Sequence, residues 1–110
     1  MLEKERRLFV RFQMSAQVVI QQEEKTLEGF LIDISYEGIG FYSPQPLKPE
    51  SLLKFIIINR QLNVNLGGIG RVIYSQPIEV DGKKMFRVGM EVIDIDRIQL
   101  KRLLLQIRQL

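Results

Sequence analysis

The chain of 110 residues carries 16 Lys and Arg against 13 Asp and Glu, a net charge of +3, with 45% apolar and 26% charged residues. That length and balance fit one small folded domain and exclude a disordered chain. Cysteine and histidine are both absent, which excludes disulfides and thiolate metal sites and removes the commonest general base and zinc ligand.

No apolar run is long enough to span a membrane. The opening residues, Met1-Leu2-Glu3-Lys4-Glu5-Arg6-Arg7, are charged with mixed sign and lead into no signal-peptide core. A cytoplasmic location is therefore expected. Residues 1–12 have weak strand character and are expected to form an N-terminal arm, with residues 13–110 forming one domain. Residues 14–22 read as a strand ending in the polar Gln21-Gln22-Glu23-Glu24-Lys25 turn. Residues 26–34 give a second strand carrying Phe30, Leu31, Ile32 and Ile34. Residues 38–42 begin a third, stopped by Ser43-Pro44-Gln45-Pro46, since proline cannot continue a central strand.

Residues 52–58 are almost continuously apolar, as in a strand buried on both faces or set in a barrel wall. Residues 62–75 hold one or two strands, with a break expected around Gly67-Gly68. Asp81-Gly82 signals a tight hairpin. After it, Phe86, Val88, Met90 and Val92 alternate with Arg87, Gly89 and Glu91, the pattern of a half-buried strand. The period then becomes helical. Asp94 or Asp96 can cap a helix whose Leu100, Leu103, Leu104, Ile107 and Leu110 form one apolar stripe, leaving Lys101, Arg102 and Arg108 off it. Six or so short strands and one helix predict a mostly β fold: a small antiparallel barrel that the helix packs on or plugs. Met14, Met85 and Met90 are expected to fill the core.

Two short motifs stand out. Arg7-Leu8-Phe9-Val10-Arg11 sets two guanidiniums four positions apart, with Arg6 beside them. On a helical turn they share a face, and in an extended arm they reach roughly 13 Å apart. Asp33-Ile34-Ser35-Tyr36-Glu37-Gly38 places an acid, a hydroxyl and a glycine at the end of an apolar run. Gly38 permits a positive φ or a close backbone approach. If the segment stays extended, Asp33 and Ser35 point to one face. The same residues also make an ordinary turn signal, an Asx-turn closed by glycine. Tyr36, Phe41 and Tyr42 can stack on a ring, although aromatics in strands usually pack.

The pair R-x-x-x-R and D-x-S-x-x-G, in that order and followed by a barrel pattern, resembles the PilZ domain family, bacterial receptors for cyclic di-GMP. Gly38-Ile39-Gly40-Phe41 with Pro46-Leu47, then Arg71-Val72-Ile73-Tyr74, then Arg87-Val88-Gly89-Met90-Glu91-Val92 before a terminal helix extend the likeness from about residue 5 to the end. The resemblance implies a six-stranded antiparallel β-barrel with a C-terminal helix. It implies that Arg7 and Arg11 hold phosphate and guanine, that Asp33 and Ser35 bind guanine, and that Gly38 shapes the turn. Arg6, just before the first motif arginine, bears on whether the ligand binds as a monomer or an intercalated dimer, and favours the dimer.

Each residue type suits its part. Arginine's planar fork meets phosphate or the guanine O6/N7 edge bidentately and stacks on purines. A carboxylate accepts from guanine N1–H and N2–H₂. The expected function is a non-enzymatic receptor with no cofactor, which changes conformation on binding cyclic di-GMP and signals to a protein partner in trans, with possible homodimerisation. Motility, biofilm and exopolysaccharide control are the outputs the resemblance implies. The alternatives are an interaction adaptor of the same fold with little nucleotide binding and, less favoured, a barrel for single-stranded nucleic acid. Scattered charge argues against nucleic acid.

Overall fold

The computed structural model describes residues 11–108. Seven strands run in chain order: β1 (Phe12–Gln13), β2 (Gln17–Gln22), β3 (Lys25–Ile34), β4 (Gly38–Ser43), β5 (Leu52–Asn59), β6 (Val64–Val80) and β7 (Lys83–Ile95). One helix follows, α1 (Arg97–Arg108). Around the sheet the order is β3-β2-β5-β6-β7-β4, and β4 pairs back onto β3. All pairings are antiparallel, so the result is a closed six-stranded barrel. β1 is an additional strand, pairing Phe12 with Ile34 and Gln13 with Asp33 beyond the end of β2. The expected boundary between arm and barrel at residues 12 and 13 thus runs through β1.

The strand expected over 14–22 is split. Met14, Ser15 and Ala16 leave the ladder between β1 and β2, while Met14 turns inward and is buried. The Ala16 carbonyl still accepts from the Leu31 amide at 2.9 Å, so the break does not free β3. β5 alternates between buried Leu53, Phe55 and Ile57 and exposed Leu52, Lys54 and Ile56. It is a barrel wall, not a strand buried on both faces. The expected break at Gly67-Gly68 is absent: β6 runs through 17 residues, and its ladder with β7 shifts register at Ile93 of β7 and at Ile73 of β6. Flanking strands that pair on both edges carry the glycines through, overriding their local weakness. Asp81 and Gly82 both have positive φ, 51° and 78°, as a two-residue I′ hairpin turn requires.

The β6–β7 hairpin outruns its neighbours. β5 pairs with β6 only as far as Arg71, and β4 pairs with β7 only between Phe86 and Glu91. Met85, opposite Ile78 in the projecting part, is only half-buried and so does not fill the core, whereas Met14 and Met90 do.

The core joins both sheet and helix. Phe41, Phe55, Ile20, Ile34, Ile39, Ile57 and Val88 fill the barrel, and Leu100, Leu103, Leu104 and Ile107 belong to the same cluster. The helical stripe is therefore where the sequence period places it, with Lys101 and Arg102 exposed. α1 lies against β1 and β6, at the end where β3 and β7 finish and β4 begins. Asp96 is the cap: its Oδ1 accepts from the Ile98 and Gln99 amides at 3.0 and 3.1 Å. Asp94 is an exposed residue of β7, opposite Ile69. Asp96→Ala is expected to cost about 1 kcal/mol in urea unfolding, and Asp94→Ala to stay within about 0.5 kcal/mol of wild type.

Candidate functional site

The site grows from a bulge. Leu31 pairs with Phe41 and Asp33 with Gly40, so β3 carries one extra residue, Ile32, against β4. Burial along β3 accordingly shifts parity, from Leu27, Gly29 and Leu31 to Ile34. The bulge keeps Ile34 in the core and aims Asp33 at the outer wall. There the Arg11 guanidinium donates to Asp33 Oδ1 at 2.7 Å, with the two side chains 47% and 17% exposed. Asp33 therefore makes an ion pair with the residue leading into β1, not an Asx-turn.

Asp33 and Ser35 do not share a face. β3 ends at Ile34, and Ser35 turns inward to be 1% exposed. Its hydroxyl accepts from the Glu37 and Gly38 amides at 3.4 and 3.2 Å and donates to the Gly38 carbonyl at 3.3 Å. The Ser35 amide also donates to that carbonyl, at 2.9 Å. Ser35 thus fastens the β3–β4 turn from inside. Gly38 is needed for close approach and not for a positive φ, since a Cβ there would lie 2.7 Å from the Met90 carbonyl oxygen.

The register then builds a continuous surface. Asp33 pairs with Gly40, Gly40 with Gly89, and Gly89 with Tyr74. Two adjacent strands at the centre of this row carry glycine, and the flanking side chains close over both, leaving them buried. A Cβ on Gly40 would meet Asp33 Oδ1 at 2.7 Å, and one on Gly89 would meet the Tyr74 ring at 2.3 Å. At usual strand spacing the row spans roughly 14 Å, with a carboxylate at one end and an aromatic ring at the other. Asp33, Gly89 and Tyr74 of this row form the floor of an open cleft of about 460 Å³, walled by Arg11, Glu37, Gly38, Arg87 and Glu91.

Arg87 stands beside this floor, opposite Tyr42 on β4. Its pKa is raised, first by its interaction with Tyr74, against an opposing desolvation, with lesser contributions from Asp33 and Tyr42. It remains a cation at any working pH. The cleft therefore joins two guanidiniums, three carboxylates and a phenol ring, groups that can meet both phosphate and the donor-bearing edge of a ring.

Of the residues singled out in the sequence, Arg11, Asp33, Ser35 and Gly38 come together. Arg6 and Arg7 lie outside the described residues. Phe41 is fully buried and Tyr36 packs against the core, so neither faces the cleft. Tyr74, Arg87, Gly40 and Gly89 went unassigned in the sequence reading. Only the strand register, which sets Gly40 beside Gly89 and Gly89 beside Tyr74, identifies them.

The fold and site define a small antiparallel barrel whose polar cleft lies on its outer wall. The family model of the PilZ domain matches residues 5–109, and the chain belongs to that family. The barrel and helix resemble the structure of the Bacillus subtilis inhibitor of motility (MotI/DgrA), with a TM-score of 0.73 and 19% identity, over 94% of this chain and 50% of that one. This chain thus spans half the length of MotI. They also resemble the PilZ domain of YcgR from Escherichia coli, solved with c-di-GMP, with a TM-score of 0.77 and 16% identity, over 94% and 92% of the two chains. At these identities the likeness is one of fold. No curated protein matches the sequence.

Ser35 and Asp33 should separate in stability. Ser35→Ala strips buried amides of their acceptor and is expected to cost about 1–3 kcal/mol. Asp33→Ala removes a half-exposed ion pair and is expected to cost about 0–1 kcal/mol. Urea unfolding of the two variants checks the order.

Proposed function

We propose that this protein is a receptor module for cyclic di-GMP, without catalytic activity of its own. The observation that carries the reading is the Asp33–Gly40–Gly89–Tyr74 row flanked by Arg11 and Arg87. The glycines let the Asp33 carboxylate and the Tyr74 ring lie low against the sheet, which leaves room above them for a purine. Asp33 accepts from its Watson–Crick edge, Tyr74 offers a stacking face, and the arginines take phosphate or O6/N7. Family membership and the c-di-GMP in the YcgR PilZ domain support the same ligand. Arg6 and Arg7 join from the arm, and Arg6 favours an intercalated ligand dimer. Ser35 and Gly38 act through the shape of the turn.

In this reading Arg11 already rests on Asp33. The ligand draws Arg7 and Arg11 onto itself, and the arm changes position with them. A partner that distinguishes the two arm positions receives the signal in trans. Motility control, as in the name of MotI, is the favoured output, with biofilm or exopolysaccharide control as others. We place the receptor in the cytoplasm, with self-association as a further route for the signal. No helix among the described residues is long and apolar enough to cross a membrane.

Calorimetric titration with cyclic di-GMP, with GTP and cyclic di-AMP as controls, tests the reading. Selective binding is expected. Arg7→Ala and Arg11→Ala should each weaken it at least tenfold, since a charge-assisted contact contributes about 1.5–3 kcal/mol. Asp33→Ala should narrow the preference over cyclic di-AMP, and Tyr74→Ala should weaken binding without unfolding the barrel. Unchanged affinity in both arginine variants overturns the assigned site. No binding by folded wild-type protein overturns the receptor and favours an interaction adaptor of the same fold.

A further inference from the structure

We infer that Arg97, the first residue of α1, is a positioning residue for the binding turn, and that it couples occupancy of the cleft to the docking of α1. The inference rests on the receptor reading for the identity of the ligand. Its geometry stands independently.

Arg97 is an unfavourable residue for its place in the helix. The N-terminus of a helix carries partial positive charge, so a cation in the first turn is repelled. The capping carboxylate of Asp96 stands just before it, and no acid follows within the first turn. The side chain instead leaves the helix. Its Nη1 donates to the Tyr36 carbonyl at 2.5 Å, its Nη2 donates to the Val92 carbonyl at 3.4 Å, and its guanidinium lies 4.9 Å from the centre of the Tyr36 ring. One planar group thereby ties three elements: α1, β7 and the Ser35–Gly38 turn.

Within that turn the other acceptors are held locally. The Glu37 carbonyl accepts from the Val92 amide at 2.7 Å, and the Gly38 carbonyl accepts from Ser35. The Tyr36 carbonyl is the one held from the helix. Glu37 and Gly38 form a wall of the cleft, and Arg97 is not among the cleft residues. It acts from behind, through the turn. A ligand seated against Glu37 and Gly38 favours the turn geometry that Arg97 also favours. Binding and docking of the first turn of α1 must then strengthen each other by one shared factor.

The test compares wild type with Arg97→Ala, Arg97→Lys and Asp96→Ala. Arg97→Ala is expected to bind cyclic di-GMP about five- to tenfold more weakly, within the usual range for coupled sites. Arg97→Lys should restore only part of that, because an ammonium cannot bridge both carbonyls while stacking. Asp96→Ala loosens the same helix end but keeps the Arg97 contacts to the turn, and should weaken binding clearly less than Arg97→Ala does. Amide hydrogen exchange supplies the second readout. In wild type the ligand should slow exchange at Leu100, whose amide bonds to the Asp96 carbonyl, and Arg97→Ala should abolish that slowing.

Equal affinity in wild type and Arg97→Ala overturns the inference. So does equal weakening by Asp96→Ala, which would mark general loosening of the helix. Should wild type bind no cyclic di-GMP, the receptor reading fails, and Arg97 is then judged without ligand. Faster exchange of the Glu37 and Gly38 amides in Arg97→Ala supports the positioning role, and unchanged exchange overturns it.

Discussion

The ladder between β3 and β4 is the constraint on which the rest of the molecule depends. It turns an open sheet into a barrel, and so leaves neither strand with a free edge along their shared length. It also fixes the four-residue turn beneath the cleft, because Ile34 and Ile39 must face each other across it. A buried serine makes that turn affordable. Inside a barrel, backbone amides that leave the ladder need acceptors, and the Ser35 hydroxyl serves two of them. Among the described residues no buried side-chain nitrogen or oxygen lacks a partner. The residues that close the fold are thus the residues that shape the site.

Much of this architecture was legible in the sequence, for identifiable reasons. The alternation from Phe86 to Val92 and the stripe from Leu100 to Ile107 are direct imprints of a sheet face and a helix face. Asp81-Gly82 marks its hairpin because few other pairs tolerate two positive φ values. What escaped were effects of pairing. β3 ends at Ile34, so a strict period of two puts Asp33 and Ser35 together when the turn separates them. Gly67-Gly68 looks like a break until neighbours on both edges hold it extended. The cleft floor is the clearest case. Gly40, Gly89 and Tyr74 mean little singly, and only their register makes them a surface.

The unliganded cleft is charge-satisfied. Arg11 and Asp33 neutralise each other at 2.7 Å, so neither waits as an isolated charge. A ligand exchanges partners with this pair and does not fill an unmet demand. Its affinity then reflects a difference between two sets of contacts. The pair is also partly exposed, and the exchange takes place in water, where each ionic contact is modest. Under the proposed function, recognition in such a cleft rests on many simultaneous small gains and not on one dominant ionic contact.

The projecting β6–β7 hairpin raises a different matter, that of company. Beyond Arg71 on β6 and beyond Phe86 on β7, strand edges extend past their barrel neighbours. Exposed edges of this kind invite a further strand from another chain. Pro77 sits on this stretch of β6 and contributes no backbone donor, while Glu79, Lys83 and Lys84 crowd charge around the tip. These residues fill no core. They keep a long ribbon solitary in a crowded solution, so the barrel can extend a strand pair outward without seeding a shared sheet.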